Sequence, residues 1–405
     1  MKYVPPKKIL ERYADVMVNF ALGDGKGIRK GDVVRVTGSE CVKPLYIEIL
    51  HAITKAGGHV ISNYAPDDDH EYNASRDFYM NARDHQIRFF AKKYFRGLVD
   101  EVDHFLFILG EADIKSLKGI DPKKILASGE AMKPYREWRT EKENRGKLSW
   151  TLALYGTPAM AKEAGLSEKE YWKQIIDACF LNASNPVKKW KNVDMQMRSL
   201  KNKLNKFSIE KLHVKGPDAD LWITLGKKRL WAGGGGKNIP SFEIFTSPDW
   251  RGTNGWIRFN NPVYSYGNLI SGIELRFKNG VVVSAKAKKN EKLLKQMIRT
   301  PGGNKVGEFS MTDRRFSNIT KFMAETLYDE NIGGPNGNMH IALGKSFHEC
   351  YGGNITQQTK KDWDRLGFND SSVHQDMVST VPRTITAILK SGKETIIYKD
   401  GMFQF

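Results

Sequence analysis

Two side chains near the carboxyl end of the chain have the types and spacing of a metal half-site. In the segment SSVHQDMVST, His374 and Asp376 are separated only by Gln375. If this segment is a β-strand, residues two apart project from the same face, so the imidazole and the carboxylate lie side by side. Such a pair is either half of a metal site or an exposed polar pair. A metal site would need further ligands from elsewhere in the chain.

Four other side chains in the same half of the chain are compatible with metal binding. Glu243 lies in the apolar run SFEIF, Glu308 lies in VGEFSM, Glu330 ends the segment ETLYDE, and His340 opens the apolar run HIALG. With the first pair they would serve one or two divalent cations, and mixed imidazole and carboxylate ligation favours zinc, manganese, cobalt or iron over calcium. Taken singly, a glutamate in a strand is usually exposed and a histidine beside an apolar run is usually only hydrogen-bonded.

The first 186 residues have the pattern of an α/β domain. The strand-like segment KGDVVRVTGSE is followed by helical spacing in PLYIEILHAITKAGGHVIS, which ends at two glycines and re-enters a strand. This order predicts a βαβ unit. VDHFLFILGE indicates another buried strand, and Ser167 with Glu170 forms a capping box before an amphipathic helix over 167–181. We therefore predict an α/β amino-terminal domain over 1–186.

The pattern changes after residue 186. A basic stretch over 187–208 predicts a linker helix, and most of the following segments alternate between apolar and polar residues, as strands do. The dipeptide NG at 279–280 favours a tight hairpin turn, and the spacing over 318–330 indicates one helix. We therefore predict an α+β, mainly antiparallel-sheet domain over 209–405 that carries the metal site.

Charge and glycine content suggest two other kinds of site. A net charge of +18 is compatible with a nucleic-acid partner. However, the lysines are mostly single or paired, and the dense stretch over 187–215 contains no recognisable nucleic-acid-binding motif. The segment WAGGGGKN lacks the Ser or Thr of a P-loop and does not open a helix. We expect neither a nucleic acid as the main partner nor a nucleotide at this segment.

Cysteine spacing and hydropathy indicate the compartment. Cys41, Cys179 and Cys350 are far apart and form no CxxC motif, which argues against a disulfide framework or a zinc knuckle and fits a reducing environment. The amino-terminal segment is charged where a secretion signal requires an apolar core. Apolar runs such as FLFILG are far shorter than the roughly 20 residues that span a bilayer. We expect a cytoplasmic protein without a membrane partner.

Six motifs occur in a fixed order over roughly residues 200–380. They are LHVKGPDADLWITLG, WAGGGG, the run from NIPSFEIF to GIELRFKNGVVV, VGEFSM, ETLYDENIGG followed by MHIALGKSF, and SSVHQDMVST. Together they resemble the thermophilic aminopeptidase family of the aminopeptidase T and aminopeptidase S type. The resemblance extends more loosely into the amino-terminal half through KGDVVRVTGS and KAGGHV.

The resemblance implies a metallo-exopeptidase that removes amino-terminal residues from peptides and works as a homodimer. It also implies a dinuclear site with two divalent metal ions per chain, drawn from zinc, cobalt, manganese and magnesium. Carried over residue by residue, the ligands of the family fall on Glu243, Glu308, Glu330, His340, His374 and Asp376.

Chemistry suggests roles for the glutamates within that set. Two cations at about 3.5–4 Å activate a shared water and polarise the scissile carbonyl. A bridging carboxylate is needed to hold like charges so close, and Glu308 is our candidate. Glu243 and Glu330 are both candidates for the general base, and the sequence does not choose between them.

The chain departs from the family pattern at two places. The family usually has a tyrosine seven residues after the histidine of the HIALG-like motif, and this chain has Phe347 there, with Tyr351 and His348 nearby. A phenol at that position would ligate metal or stabilise an oxyanion, and phenylalanine does neither. The segment 331–339 is also longer than the usual connection, so it would either reshape access or displace Glu330.

Two alternatives remain open at this point. His340, His374 and Asp376 alone form a 2-His-1-carboxylate set, which suits a mononuclear non-haem iron dioxygenase. Some relatives of these aminopeptidases resemble ring-opening dioxygenases that act on dihydroxypyridines, although such a site has no need of Glu243 and Glu308. The other alternative is a metal-binding family member that has lost catalysis with the tyrosine.

Overall fold

A computed structural model of the chain describes residues 3–69, 71–265 and 267–405. The backbone divides into two compact units. The first comprises the chain up to Gln196 together with Gly234–Ser241, and the second comprises Met197–Gly233 and Phe242–Phe405. The domain limits expected at residues 186 and 209 stay a prediction.

The first unit is built on a parallel sheet. Its strands are β1 (Val33–Ser39), β2 (His59–Ala65), β3 (His104–Leu109), β4 (Ser149–Leu154) and β7 (Asn238–Ile239). Their order is β2-β1-β3-β4-β7, and each neighbouring pair is parallel. The order β1, helix, β2 along the chain is the predicted βαβ unit.

Helices precede, separate and follow these strands along the chain. They are α1 (Lys7–Val16), which continues as a π-helical segment (Met17–Ala21), α2 (Leu22–Gly25), α3 (Lys43–Lys55), α4 (Ala74–Asn81), α5 (Asp84–Ile87), α6 (Lys92–Glu101), α7 (Pro122–Ala131), α8 (Lys133–Asn144), α9 (Pro158–Glu163) and α10 (Glu168–Ala178). A 3₁₀ turn over Glu40–Val42 precedes α3. The predicted capping box is present at α10, where Ser167 and Glu170 each accept a backbone N–H from the other. Helix α11 (Pro186–Lys206) follows in the basic stretch.

The second unit is dominated by antiparallel sheet. Its strands are β5 (Ile209–Gly216), β6 (Ala219–Thr224), β8 (Glu243–Thr246), β9 (Asp249–Arg258), β10 (Val263–Ser265), β11 (Asn268–Ile270), β12 (Glu274–Lys278), β13 (Val281–Lys286), β14 (Val306–Thr312), β15 (Asn338–Gly344), β16 (His374–Ser379), β17 (Thr384–Leu389), β18 (Glu394–Lys399) and β19 (Met402–Phe403). They form an eight-stranded sheet, β13-β12-β9-β6-β5-β17-β18-β19, a four-stranded sheet, β16-β15-β14-β8, and the hairpin β10-β11. Its helical segments are α12 (Glu291–Arg299), α13 (Thr326–Asp329), α14 (Lys360–Arg365) and two 3₁₀ turns, His348–Cys350 and Ile355–Gln357.

The predicted hairpin turn at 279–280 joins β12 and β13. Asn279 and Gly280 both have positive φ values, 50° and 82°, as a type I′ turn requires. The predicted helix over 318–330 is wrong for most of its length, because only Thr326–Asp329 is helical. Ala324 has φ of 54°, and the buried Asp329 carboxylate accepts the backbone N–H groups of Met323 and Glu325 in place of helical carbonyls.

The four-stranded sheet is the most enclosed part of the second unit. Every residue of β14 and β15 is buried, although both strands carry polar side chains. Buried polar groups need partners, because each unpaired one costs about 1–3 kcal/mol. The polar side chains of this sheet are therefore expected to contact one another or a ligand.

The cysteines and the helices bear on two further expectations. Cys41, Cys179 and Cys350 are buried, and none of the three forms a disulfide bond. Within the described ranges, no helix combines the length and the apolar character that crossing a bilayer demands.

Gly344, at the end of β15, lies opposite His374 and sets the close approach of β15 to β16. Its φ is +111°, and a Cβ at this position would overlap the carbonyl oxygen of Val373. Gly392 also has a positive φ, +81°, but a Cβ there would meet no atom within 4 Å. Substitution of Gly392 therefore tests backbone strain alone, whereas substitution of Gly344 tests strain together with steric overlap.

We expect Gly344→Ala to lower the free energy of unfolding by about 3 kcal/mol, because overlap adds to the strain of a positive φ. Gly392→Ala, the matched control, should cost about 1 kcal/mol from the backbone alone. Chemical denaturation of both variants measures the difference. Equal losses in the two variants would contradict the close packing of β15 on β16.

Candidate metal centre

The structure brings the six predicted side chains together at one place in the second unit. Strands β8, β14, β15 and β16 are neighbours and supply five of them, and the sixth follows α13 directly. In chain order these are Glu243, Glu308, Glu330, His340, His374 and Asp376.

Strand register explains why the five strand residues share a face. Residues directly opposite one another in an antiparallel pair lie on the same side of the sheet. Glu243 is opposite Thr312, His340 is opposite Ser310, and Ala342 is opposite both Glu308 and Asp376. Because alternate residues of a strand share a face, these registers direct all five side chains to one side.

The donor atoms form three overlapping groups. They are Glu243 with Glu308 and His340, Glu308 with His374 and Asp376, and Glu330 with His340 and Asp376, and within each group the atoms lie within 4.8 Å of one another. Glu308, His340 and Asp376 each belong to two groups. The six side chains are therefore one continuous cluster.

Glu308 lies between the two histidines. Its Oε1 is 3.1 Å from Nε2 of His340, and its Oε2 is 3.6 Å from Nε2 of His374. Asp376 has a similar place, because its Oδ1 is 3.7 Å from Nε2 of His340 and 3.5 Å from Nε2 of His374. Each histidine therefore presents Nε2 to the carboxylates.

Burial and crowding shift the protonation of the carboxyl groups. Burial raises the pKa of Glu243 to about 7, and the charge of Glu308 adds to the rise. Burial and the charge of Glu243 raise the pKa of Glu330 well above its usual range. Burial also acts to raise the pKa of Asp376, but the charge and hydrogen bond of His374 outweigh it and lower that pKa.

The pKa values of both histidines are raised, whereas burial alone would lower them. Burial lowers the pKa of His340, but the hydrogen bond to Glu308 and the charges of Glu243 and Asp376 outweigh it and raise the pKa to about 9. Burial likewise lowers the pKa of His374, and Asp376 and Glu308 raise it to about 9. In the metal-free protein, protons therefore neutralise the cluster.

The donor set fits divalent cations. With four ionised carboxylates and two neutral imidazoles, the cluster carries four negative charges in a buried place, and divalent cations balance that charge. His374 donates its Nδ1–H to the carbonyl of Lys345 at 2.9 Å, which leaves the lone pair of Nε2 directed at the cluster. His340 Nδ1 has no hydrogen-bond partner among the described residues, so its polar contacts all run through Nε2.

Phe347 lies against the cluster in the place where the family motif has tyrosine. Its ring is 4.9 Å from that of His374 at an interplanar angle of 66°, and it offers no oxygen. The two nearby side chains considered as replacements for the phenol pack on Trp363. The rings of Tyr351 and His348 lie 5.4 and 3.9 Å from it, and His348 belongs to none of the three donor groups.

The segment 331–339 does not displace Glu330 from the cluster. Asn338 donates from Nδ2 to the carbonyl oxygens of Glu330 at 2.9 Å and Ile332 at 2.7 Å, and Thr312 donates its hydroxyl to Glu330 O at 3.2 Å. The segment is thus anchored at its base, and Glu330 remains buried beside His340 and Asp376.

Sequence reasoning missed the polar side chains that support the cluster. The Ser310 hydroxyl donates to Glu243 Oε2 at 2.8 Å, and the alternation of β14 from Glu308 would have placed it on the correct face. Asn331 donates to Glu330 Oε1 at 3.4 Å, but no sequence pattern marks it.

Three named aminopeptidases are similar in sequence to this chain over most of its length. Aminopeptidase AmpS of Bacillus subtilis is 31% identical over 313 residues, which cover 71% of this chain and 74% of that protein. Aminopeptidase T of Thermus thermophilus is 28% identical over 313 residues, 72% of this chain and 74% of that protein. Aminopeptidase PepS of Streptococcus thermophilus is 25% identical over 421 residues, 98% of each chain.

Two solved structures are similar in fold. AmpT from Thermus thermophilus superposes with a TM-score of 0.81 at 23% identity, covering 98% of this chain and 100% of that chain. The 2,5-dihydroxypyridine dioxygenase from Pseudomonas putida superposes with a TM-score of 0.54 at 12% identity, covering 99% and 98%. The prediction was an α/β domain followed by an α+β domain, and the comparison confirms its coarser part, a mixed architecture of helices and several sheets.

The model of the thermophilic metalloprotease (M29) family matches residues 6–403, almost the whole chain. This match and the AmpS relative confirm the resemblance predicted from the six motifs. Membership implies a hydrolase that uses a divalent metal. The chain belongs to the thermophilic metalloprotease family.

Proposed function

We propose that the protein is a metal-dependent aminopeptidase that hydrolyses the amino-terminal residue of peptides at a dinuclear site. The proposed ligands are the six clustered side chains, Glu243, Glu308, Glu330, His340, His374 and Asp376. Support comes from the family match and from relatives whose names are aminopeptidases.

The observation that carries two ions rather than one is the position of Glu308. Its two carboxylate oxygens face different histidines, Oε1 towards His340 and Oε2 towards His374. Glu308 would therefore be the residue that holds both cations. Glu330 and Glu243 then complete the surroundings of His340, and Asp376 lies between the two histidines.

When bound, the cations would supply Lewis acidity that polarises the scissile carbonyl and activates water. The side chains of the chain provide the rest. We assign Glu243 as the acceptor of the water proton, because Ser310 holds its Oε2 and thereby fixes the carboxylate. Strands β14 and β15 are buried along their whole length, and this lowers the local dielectric constant and strengthens the charge interactions of Glu308 and His340.

The proposal also includes the oligomeric state and the cellular compartment. We propose a homodimer, following the resemblance to the aminopeptidase family. We also propose the cytoplasm, because three buried cysteines that form no disulfide bond suit a reducing compartment.

A mononuclear iron dioxygenase is the second candidate. It is favoured by the fold likeness to 2,5-dihydroxypyridine dioxygenase and by the close approach of His340, His374 and Asp376. Three further buried glutamates beside that set argue against it, since one iron has no use for them. The number of metal ions per chain separates the two candidates.

Elemental analysis of the purified protein should find about two divalent ions per chain. The same sample, supplied with cobalt, zinc or manganese, should release p-nitroaniline from leucyl-p-nitroanilide. His374→Ala should lower kcat/KM by about a hundredfold or more, because it removes a ligand. His213→Ala is the matched control, since His213 pairs with Asp220 and stacks on Trp222 outside the cluster.

Three results would count against this reading. One iron per chain without peptide cleavage would favour the dioxygenase. Bound metal with neither activity would indicate a family member that has lost catalysis. Equal losses in His374→Ala and His213→Ala would separate the activity from the cluster.

Metal affinity should rise with pH. In the metal-free protein Glu243 holds a proton up to about pH 7, and His340 and His374 hold theirs up to about pH 9. Cations must displace these protons, so affinity should increase by about tenfold per pH unit for each proton displaced and level off above the higher pKa. Calorimetric titration of the metal-free protein in buffers of different ionisation enthalpy measures the protons released. An affinity independent of pH from about 6 to about 9 would contradict the protonated cluster.

Phe347→Tyr should raise kcat by about tenfold or more with little change in KM, because a phenol beside His374 would donate to the developing oxyanion. Phe347→Leu, which keeps an apolar side chain and adds no donor, is the control. Steady-state kinetics on leucyl-p-nitroanilide measures both. A loss of kcat in the tyrosine variant would show that this site operates without a phenol and has no space for one.

A further inference from the structure

Glu330 is the one member of the cluster that does not lie on a strand. The ladder hydrogen bonds of β8, β14, β15 and β16 fix the backbones of the other five residues. Glu330 instead follows the single turn of α13, which is too short to be stable by itself. Its position relative to the sheet must therefore depend on side-chain contacts.

Asn331, the next residue, makes a contact that reaches the sheet. Its side chain is fully buried, and its Oδ1 accepts the backbone N–H of Phe242 at 2.6 Å. Its Nδ2 donates to the carbonyl oxygen of Leu327 at 3.0 Å and to Glu330 Oε1 at 3.4 Å. One amide thus joins the turn that carries Glu330 to the residue before Glu243.

The carboxylates of Glu243 and Glu330 need a contact that holds them close together against their mutual repulsion. Glu243 and Glu330 each belong to a donor group that contains His340, so the two carboxylates lie close together in a buried place. When both are ionised they repel, and repulsion in a medium of low dielectric constant is strong. The backbone ladders of the four strands do not include Glu330, and the strand side chains Thr312 and Asn338 contact its carbonyl oxygen rather than its carboxylate.

We propose that Asn331 is a positioning residue that holds Glu330 in register with Glu243, so that the group Glu330, His340 and Asp376 is competent for metal. This inference rests on the proposed dinuclear site. According to this inference, Asn331 affects the affinity for only one of the two proposed ions. The ligands of the other group, Glu308, His374 and Asp376, are positioned by β14 and β16 alone.

The backbone near Glu330 has other anchors, which makes the proposal testable. Asn338 and Thr312 hold the Glu330 carbonyl, and Ser317 donates its hydroxyl to the carbonyl of Asn331. Removal of the Asn331 side chain therefore leaves the segment attached to the unit. The change should act on the direction of the Glu330 carboxylate more than on the fold.

The test compares Asn331→Ala with Asn369→Ala in the full chain. Asn369 is a buried amide of the same unit that donates to the carbonyl oxygens of Gly302 and Gly344 at 2.7 and 2.6 Å, and within the described part of the chain it has no hydrogen bond to a member of the cluster. Each protein is stripped of metal and equilibrated with buffered zinc over a range of free concentrations. Bound zinc per chain and the melting temperature of the metal-free form are then measured.

We expect wild type and Asn369→Ala to bind two zinc ions with similar affinities. In Asn331→Ala the affinity for one ion should fall about 10- to 100-fold and that for the other should stay, so that one ion remains at a zinc concentration that saturates the wild type. Asn331→Ser, which fills more of the space but is too short to reach Phe242, should behave in the same way and serves if the alanine variant does not fold.

Two results would overturn the inference while leaving the proposed function intact. One is two ions of wild-type affinity in the Asn331 variants. The other is an equal loss of zinc in the Asn331 and Asn369 variants, which would make the amide a general stabiliser. A wild type that binds fewer than two ions would instead defeat the proposed dinuclear site, and the inference with it.

Discussion

The second unit is organised around four carboxylates that the chain encloses in one place. Glu243, Glu308, Glu330 and Asp376 are mostly buried, and two imidazoles lie among them. Ionised carboxylates at such distances repel strongly in a protein interior, and their removal from water costs several kcal/mol for each group. The fold is sustainable only if protons or cations balance the charge. Protons do so in the metal-free protein, as the raised pKa values of Glu243 and the two histidines indicate.

The rest of the unit supplies the geometry for this balance. Strand alternation places five of the six candidate ligands on one face, and the antiparallel registers align those positions across four neighbouring strands. The Lys345 carbonyl fixes the tautomer of His374, and Ser310 orients Glu243. The fold alone does not determine the chemistry, because a dioxygenase has a similar fold at a TM-score of 0.54. The proposal of a dinuclear hydrolytic site, rather than a mononuclear one, rests on the additional glutamates beside His340, His374 and Asp376.

Local patterns in the sequence predicted local features of the fold well. The βαβ unit, the capping box at Ser167 and the turn at Asn279 follow from periodicity and from turn chemistry, which act over a few residues. The helix expected over 318–330 failed because the buried carboxylate of Asp329 offered the backbone other partners. All six side chains singled out from the sequence lie in the cluster, because their motifs carried the resemblance. Asn331 escaped notice because its partner, Phe242, is 89 residues away and no local pattern records such a contact.

The central claim is that two cations lie together with Glu308 between them. Anomalous X-ray diffraction from crystals loaded with zinc, recorded on both sides of the absorption edge, tests it most directly. The account predicts two anomalous peaks about 3.5–4 Å apart in the second unit, one on each side of the Glu308 carboxylate. A single peak coordinated by His340, His374 and Asp376 alone, with Glu308 and Glu330 turned away, would contradict it.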